Sequence, residues 1–91
     1  MSATPPFDLD AGWRLHPQVA LRPEPFGALL YHFGTRKLSF LKDRTVVGLV
    51  RSLPAHPNAR AALQAAGLDD TGRYATALAT LAASQMLVRA S

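Results

Sequence analysis

The sequence predicts an α+β fold, in which a small three-stranded antiparallel sheet precedes three helices in a winged helix-turn-helix-like arrangement. Two patterns support this prediction. Between residues 18 and 41 apolar residues cluster and alternate, with proline and glycine at the breaks, as strands and turns require. From residue 46 onward they recur three or four positions apart, which is typical of amphipathic helices. At 91 residues the chain has room for one domain.

The segment 1–12 shows no periodicity and contains Pro5 and Pro6, so we interpret it as a flexible N-terminal arm before a domain at residues 13–91. It has neither the basic start nor the apolar stretch of a signal peptide. No run of about 18 apolar residues occurs in the sequence. We therefore expect a cytoplasmic protein without a membrane partner.

The first two strands are delimited by proline. Pro17 cannot donate to a ladder, so the first strand is expected at about residues 18–22, and a turn follows at residues 23–25. The central strand covers residues 26–33. Its alternating faces carry Leu29, Tyr31 and Phe33 on one side and Ala28, Leu30 and His32 on the other.

The third strand covers residues 37–41 and returns after a tight turn at Gly34 and Thr35. We expect Leu38 and Phe40 to face the core, while Lys37, Ser39 and Leu41 face away. This strand lies at an edge of the predicted sheet. Because an exposed edge can pair with another chain, it is expected to be covered by another element, protected by charged residues or used to bind a partner strand.

Three helices account for the second half of the chain. Each begins at a residue that can accept hydrogen bonds from the first helical turn: Asp43 or Thr45, then Asn58, then Asp69, Asp70 or Thr71. Pro54 and Gly67 end the first two helices, and Gly72 is expected to delay the start of the third. The third helix carries one apolar stripe, at positions 74, 77, 78, 81 and 82. Residues 86–88 add a short strand or pack on the core.

Catalytic and metal chemistry have no visible site in the sequence. The chain has no cysteine, which excludes disulfides, cysteine nucleophiles and cysteine-ligated zinc or iron–sulfur centres. His16, His32 and His56 do not have metal-ligand spacing. Capping explains the aspartates at helix starts. We expect no enzyme activity, no metal and no cofactor.

Positive charge is concentrated in the middle of the chain. The net charge is +4, and residues 36–60 hold six basic residues against one acidic residue. Such a field attracts an acidic partner, either nucleic acid or an acidic peptide. A solvated basic surface explains the same charges equally well.

A winged-helix regulator that binds DNA is the alternative function. Its third helix is the expected reader of bases, yet Arg73 is the only basic residue between positions 70 and 85. The wing hairpin that normally follows that helix is also missing. A homodimer that pairs or swaps its edge strands is a further alternative to a monomer.

Addition of a peptide strand fits these features better. An extended peptide can pair with the backbone of residues 37–41 and place its side chains between this strand and the third helix. The leucines of the third helix supply apolar pockets, although they also fit a purely structural place in the core. Surrounding basic residues favour an acidic peptide. The candidate peptide-binding residues are Arg36, Lys37, Leu38, Ser39, Phe40, Leu41, Lys42, Arg73, Tyr74, Ala77, Leu78 and Leu81.

Part of the chain resembles a known family. The relevant residues are the run WRLHPQVALRPEPFGALLYH at 13–32, continued by KLSFL at 37–41 and RSL at 51–53. This pattern closely resembles MftB, the family of peptide chaperones in mycofactocin biosynthesis. It is more distantly similar to the PqqD-like recognition elements of ribosomally made, modified peptides, which have three strands followed by three helices. The resemblance covers residues 13 to about 88.

The resemblance implies a non-catalytic adaptor. It implies binding of the leader of the precursor peptide MftA and presentation of that peptide to the radical S-adenosylmethionine maturase MftC. The family places the leader as an extra strand against the third strand and the third helix. In this sequence these elements correspond to residues 37–41 and to Tyr74, Leu78 and Leu81.

Overall fold

The computed structural model describes residues 7–68 and 72–90. The elements follow the order β1 (Trp13–Leu15), β2 (Val19–Glu24), β3 (Gly27–His32), β4 (Lys37–Leu41), α1 (Arg44–Ser52), a 3-10 turn (Leu53–Ala55), α2 (Ala59–Ala65), α3 (Arg73–Ala83) and β5 (Leu87–Arg89). The predicted α+β fold, with a three-stranded antiparallel sheet and three helices, is confirmed.

The strands form two separate sheets. β2, β3 and β4 are antiparallel neighbours in that order, so β3 is central, as predicted. β1, which the sequence pattern does not reveal, pairs antiparallel with β5, the short strand expected near residues 86–88. This second pairing joins the two ends of the domain.

The helices begin where the capping residues predict. An Asp43 side-chain oxygen accepts a hydrogen bond from the Thr45 amide at 2.8 Å, and that of Asn58 accepts from the Ala61 amide at 2.7 Å. The caps expected at Asp69, Asp70 or Thr71 lie outside the described residues, and α3 begins at Arg73 after Gly72. None of the helices in the described part of the chain has the length and hydrophobicity that a membrane span needs.

Residues 7–12, assigned to the arm from the sequence, contact the domain. The Phe7 ring stacks on Trp13 with the ring centroids 4.5 Å apart, and Ala11 is buried. The Ala59 amide donates to the Ala11 carbonyl at 3.0 Å, and the Arg60 amide donates to the Leu9 carbonyl at 2.8 Å. This segment therefore supplies acceptors for two amides in the first turn of α2, which otherwise have no intrahelical partner.

The core lies between the three-stranded sheet and the helices. On β3 the predicted alternation is confirmed, because Ala28, Leu30 and His32 are buried. The opposing apolar side chains come from the helices and the chain after α3; fully buried examples are Leu49, Val50, Leu53, Leu63, Leu78, Met86 and Leu87.

The prediction for the faces of β4 is wrong. Leu38 and Phe40 are 53% and 59% exposed, whereas Leu41 is buried. The register explains the difference, since Ser39 lies opposite the buried Leu30. Residues directly opposite each other in an antiparallel pair share a face, so Ser39 and Leu41 face the core.

His32 organises the turn between β3 and β4. The imidazole is 2% exposed, and its Nδ1 accepts hydrogen bonds from the amides of Gly34 at 3.0 Å and Thr35 at 3.1 Å. A nitrogen that accepts two hydrogen bonds carries no proton, so Nδ1 is an unprotonated acceptor in this turn. His32 therefore fixes the turn that leads into β4.

Candidate functional site

A groove of about 310 Å³ lies between β4 and α3. Its lining residues are Ser39, Phe40, Leu41, Ala77, Thr80 and Leu81. Most of this lining is apolar, and two hydroxyl-bearing residues interrupt it. The structure thus brings five of the residues predicted from the sequence around one cavity.

In the middle of α3 two residues differ from the expected groove lining. Leu78 is fully buried in the core and is absent from the groove lining. Thr80 lines the groove but was not among the predicted residues, because it is polar and lies outside the apolar stripe. Its position three residues after Ala77, on the same side of the helix, is the sequence signal that could have identified it.

The hydrogen bonds of β3 show which of its backbone amide and carbonyl groups face β2 and which face β4. The Phe33 amide, just after β3, donates to the Gln18 carbonyl at 2.8 Å, on the side of β2. Because backbone groups alternate sides along a strand, residues 28, 30 and 32 point theirs toward β4. The position of the Leu41 carbonyl oxygen is consistent with this alternation, because the oxygen points toward β3. It faces Gly27 so closely that a side chain there would collide with it, and Gly27 also has a φ of +146°, which disfavours any other residue.

Within residues 7–68 and 72–90 no strand pairs with the outer edge of β4, which is therefore open to an added strand. Lys37, Ser39 and Leu41 are the register partners of β3 residues 32, 30 and 28, so their backbone groups face β3. Leu38 and Phe40 therefore direct their amide and carbonyl groups away from the sheet. These groups lie beside the groove, and an extended chain can satisfy them.

The opposite edge, β2, is less suited to strand addition. Val19, Leu21 and Pro23 point outward, but the Val19 amide donates to the His16 carbonyl at 2.8 Å, and proline has no amide proton. Beside this edge lies a cavity of about 360 Å³, lined by Leu15, Leu21, Pro23, Val50, Arg51 and Pro54. Although it is larger, it is flanked by only one available strand amide, so we assign the candidate site to β4.

The predicted basic residues surround one end of the hairpin and the end of β4. Arg36, Lys37 and Lys42 are exposed, and none of them makes an ion pair within the described parts of the chain. Arg36 has a φ of 60°, in the left-handed region, at the last position of the turn. These three cations leave the strand edge with an uncompensated positive charge.

Arg73 and Tyr74 lie at the start of α3 and connect it to α1. Arg73 Nη2 donates to Asp43 Oδ2 at 2.6 Å and to the Tyr74 hydroxyl at 3.0 Å, and its guanidinium lies 4.8 Å from the centre of the Tyr74 ring. Neither residue lines the groove. Arg73 is the only basic residue of α3 and is held in this ion pair, so the helix has no free cation for reading bases.

Asp43 has two roles at this junction, as the cap of α1 and as the partner of Arg73. The hydrogen bond from the Thr45 amide lowers the pKa of the Asp43 carboxyl below its ordinary value of 3.8, and the positive charge of Arg73 lowers it further. The pKa of Arg73 is raised, first by its hydrogen bond to Tyr74 and then by the charge of Asp43. Both shifts favour the ionised pair.

We expect Asp43→Asn to lower the midpoint of thermal unfolding at pH 7, and Asp43→Ala to lower it further. Asparagine keeps the capping oxygen but loses the charge, whereas alanine loses both. Because the carboxyl pKa is lowered on folding, its contribution is complete above pH 3.8 and is lost as the pH falls through the folded-state value. The difference between wild type and Asp43→Asn should therefore shrink in acid. A difference that is unchanged between pH 7 and pH 2.5 would contradict this role.

Among residues 7–68 and 72–90, no group of three histidine, aspartate or glutamate side chains is placed to hold a metal ion. The site instead combines a free strand edge, an apolar groove and a positive surface.

Comparisons with known proteins identify the family of the chain. Residues 12–88 match the model of the Peptide chaperone MftB family. The chain is 67% identical over 84 residues to a protein named peptide chaperone MftB from Mycobacterium ulcerans, covering 90% of this chain and 77% of the relative. Proteins of the same name from Mycobacterium tuberculosis and Mycolicibacterium smegmatis are 63% and 67% identical over 84 residues, covering 90% of this chain and 77% and 82% of the relatives. No solved structure matches. The chain belongs to the MftB family of peptide chaperones.

Proposed function

We propose that this chain is a peptide chaperone of mycofactocin biosynthesis that acts without catalysis in the cytoplasm. It binds the leader of the precursor peptide MftA and presents the peptide to the radical S-adenosylmethionine maturase MftC. The leader binds as an additional antiparallel or parallel strand beside β4, with alternate side chains in the groove against α3.

The observation that carries this proposal is the free edge of β4 beside the groove. Main-chain hydrogen bonds to Leu38 and Phe40 provide affinity for an extended peptide. The cavity lined by Ala77, Thr80 and Leu81 accepts the side chains that point inward. Specificity then arises from the alternation of side chains along the bound strand.

The charge distribution favours an acidic leader. Arg36, Lys37 and Lys42 lie at the two ends of β4 and make no ion pair in the described residues. A positive surface accelerates encounter with an acidic chain and disfavours a basic one. Once bound, the leader is tethered near the maturase, so the enzyme meets its substrate at an increased effective concentration.

A titration of isotope-labelled protein with a synthetic MftA leader peptide tests this proposal. We expect amide chemical-shift changes to cluster at β4 and at residues 77–81 of α3. The outward amides of Leu38 and Phe40 should also exchange more slowly with solvent, because the added strand accepts their hydrogen bonds. The amide of Leu21, on the opposite edge, serves as the internal control.

Changes confined to β2, or slowed exchange at Leu21 rather than at Leu38 and Phe40, would place the peptide on the other edge. An absence of shifts at millimolar peptide would contradict peptide binding itself. A parallel titration with duplex DNA tests the alternative regulator, for which affinity should fall steeply with salt.

A further inference from the structure

The large apolar side chains that are most exposed lie together. In the described residues they are Phe26, Phe33, Leu38 and Phe40, with exposed fractions of 42%, 59%, 53% and 59%. Phe26 and Phe40 have ring centroids 6.1 Å apart, and Phe33 meets Tyr31 edge to face at 5.0 Å. Single exposed apolar residues are ordinary, but a contiguous aromatic patch on a small protein indicates an interaction site.

The register places this patch on one face of the sheet. Leu29 lies opposite Phe40, and Tyr31 lies opposite Leu38, so the four side chains share the face that points away from the helices. We call this surface the outer face; its residues are Phe26, Leu29, Tyr31, Phe33, Leu38 and Phe40. The core packs on the other side of the same strands, through Ala28, Leu30 and Leu41.

A strand bound at β4 extends the outer face. Successive side chains of a strand point to opposite sides of a sheet, so half of those on the bound peptide point into the groove. The other half lie beside Leu38 and Phe40 on the outer face. A protein that docks on this side can contact the chaperone and its bound peptide together, whereas α3 covers the opposite side.

The charged residues around the outer face indicate what kind of partner surface is complementary to it. Among the described residues Arg36 and Lys42 flank the outer face without an ion pair, whereas the Glu24 carboxylate lies 2.8 Å from the Arg22 guanidinium. Two copies of the chain facing each other would bring these cations close together, which opposes self-association. An apolar surface with acidic residues at its margin is complementary to it.

We infer that the outer face docks the enzyme that modifies the bound peptide, through an apolar patch with an acidic margin on that enzyme. This inference rests on the proposed function. Because the docked enzyme contacts both the outer face and the bound strand, peptide and enzyme bind cooperatively. Linkage requires that each raises the affinity for the other by the same factor.

The double variant Phe26→Ser/Phe33→Ser tests the inference, with purified MftC as the probe. Phe26 and Phe33 are 42% and 59% exposed, and both lie outside β4 and outside the buried core, so the variant should remain folded by circular dichroism. We expect its affinity for the leader peptide to stay within about threefold of wild type. Its affinity for MftC should fall by at least about tenfold, since buried aromatic anchors carry much of the energy of an interface. Phe33→Ser alone should show a smaller loss in the same direction.

Wild-type affinity of the double variant for MftC would overturn the inference. So would sedimentation velocity showing that the wild type forms a dimer which these substitutions abolish, because a second copy would then be the occupant. A groove variant, Thr80→Glu, is the converse control: it should impair peptide binding while the free chaperone still binds MftC. If Thr80→Glu binds peptide normally, the proposed groove is wrong, and the result with the outer-face variant still stands.

Discussion

We expect Leu38→Pro to weaken binding of the MftA leader by at least about tenfold while the chain remains folded. The Leu38 amide points away from the sheet, so proline removes a donor to the incoming strand without breaking a bond to β3. A hydrogen bond contributes about 1 kcal/mol net, and the proline ring also occupies the space where the peptide carbonyl should lie. Together these effects exceed the 1.4 kcal/mol that corresponds to a tenfold change. Isothermal titration calorimetry with the synthetic leader measures the change.

Leu38→Ala is the matched control, because it removes the exposed side chain and keeps the amide. Its affinity should stay within about threefold of wild type. Ser39→Pro provides the opposite comparison, since its amide faces β3 and its loss should destabilise the hairpin. If Leu38→Pro is folded and binds the leader as tightly as Leu38→Ala, strand addition at β4 is wrong.

The central strand and the helix caps could be predicted from the sequence because local chemistry determines them. Pro25 and Gly34 bracket β3, and its alternation leaves one face with Ala28, Leu30 and His32. Asp43 and Asn58 are followed by helical spacing, and both accept the expected amide hydrogen bonds. Features that depend on a few neighbouring residues are the ones that a single sequence specifies best.

The orientation of β4 could not be predicted in the same way, because both of its faces are apolar. Leu38 and Phe40 alternate with Ser39 and then Leu41, so hydrophobicity alone assigns the wrong pair to the core. The length of the turn decides instead, since it places Lys37 opposite His32 and hence Ser39 opposite Leu30. The conflict between pattern and position coincides with the surface we propose for docking, as is expected where function competes with folding.

The groove was only partly predictable because it depends on how α3 lies against β4. The apolar stripe of α3 identifies the side that faces the sheet, but not which of its residues are buried and which line a cavity. Leu78, at the centre of the stripe, is fully buried, whereas Ala77 and Leu81 reach the groove with Thr80. A polar residue at the margin of an apolar stripe has no signature of its own until the neighbouring strand is placed.

We expect Thr80→Glu to weaken leader binding by at least about tenfold. Thr80 is exposed on α3, and glutamate is a good helix former, so the free protein should remain folded. In the complex the carboxylate would be covered by the peptide beside Ala77 and Leu81, and none of the described residues that line the groove is a cation. Burial of an unpaired charge is costly, and an acidic leader would also repel it.

Two control substitutions show whether the effect of Thr80→Glu comes from the charge, the size or the position of the new side chain. Thr80→Gln has nearly the size of glutamate without its charge and should lose less affinity than Thr80→Glu. Thr76→Glu introduces the same charge one turn earlier, outside the groove lining, and should stay within about threefold of wild type. Raising the salt concentration to 1 M screens repulsion between exposed charges over distances beyond about 3 Å, but does not remove the cost of burying a carboxylate. If the loss of affinity in Thr80→Glu persists in high salt, the peptide covers Thr80. If Thr76→Glu and Thr80→Glu lose affinity equally, and both losses vanish in high salt, the effect is a diffuse electrostatic repulsion and the peptide does not occupy the groove.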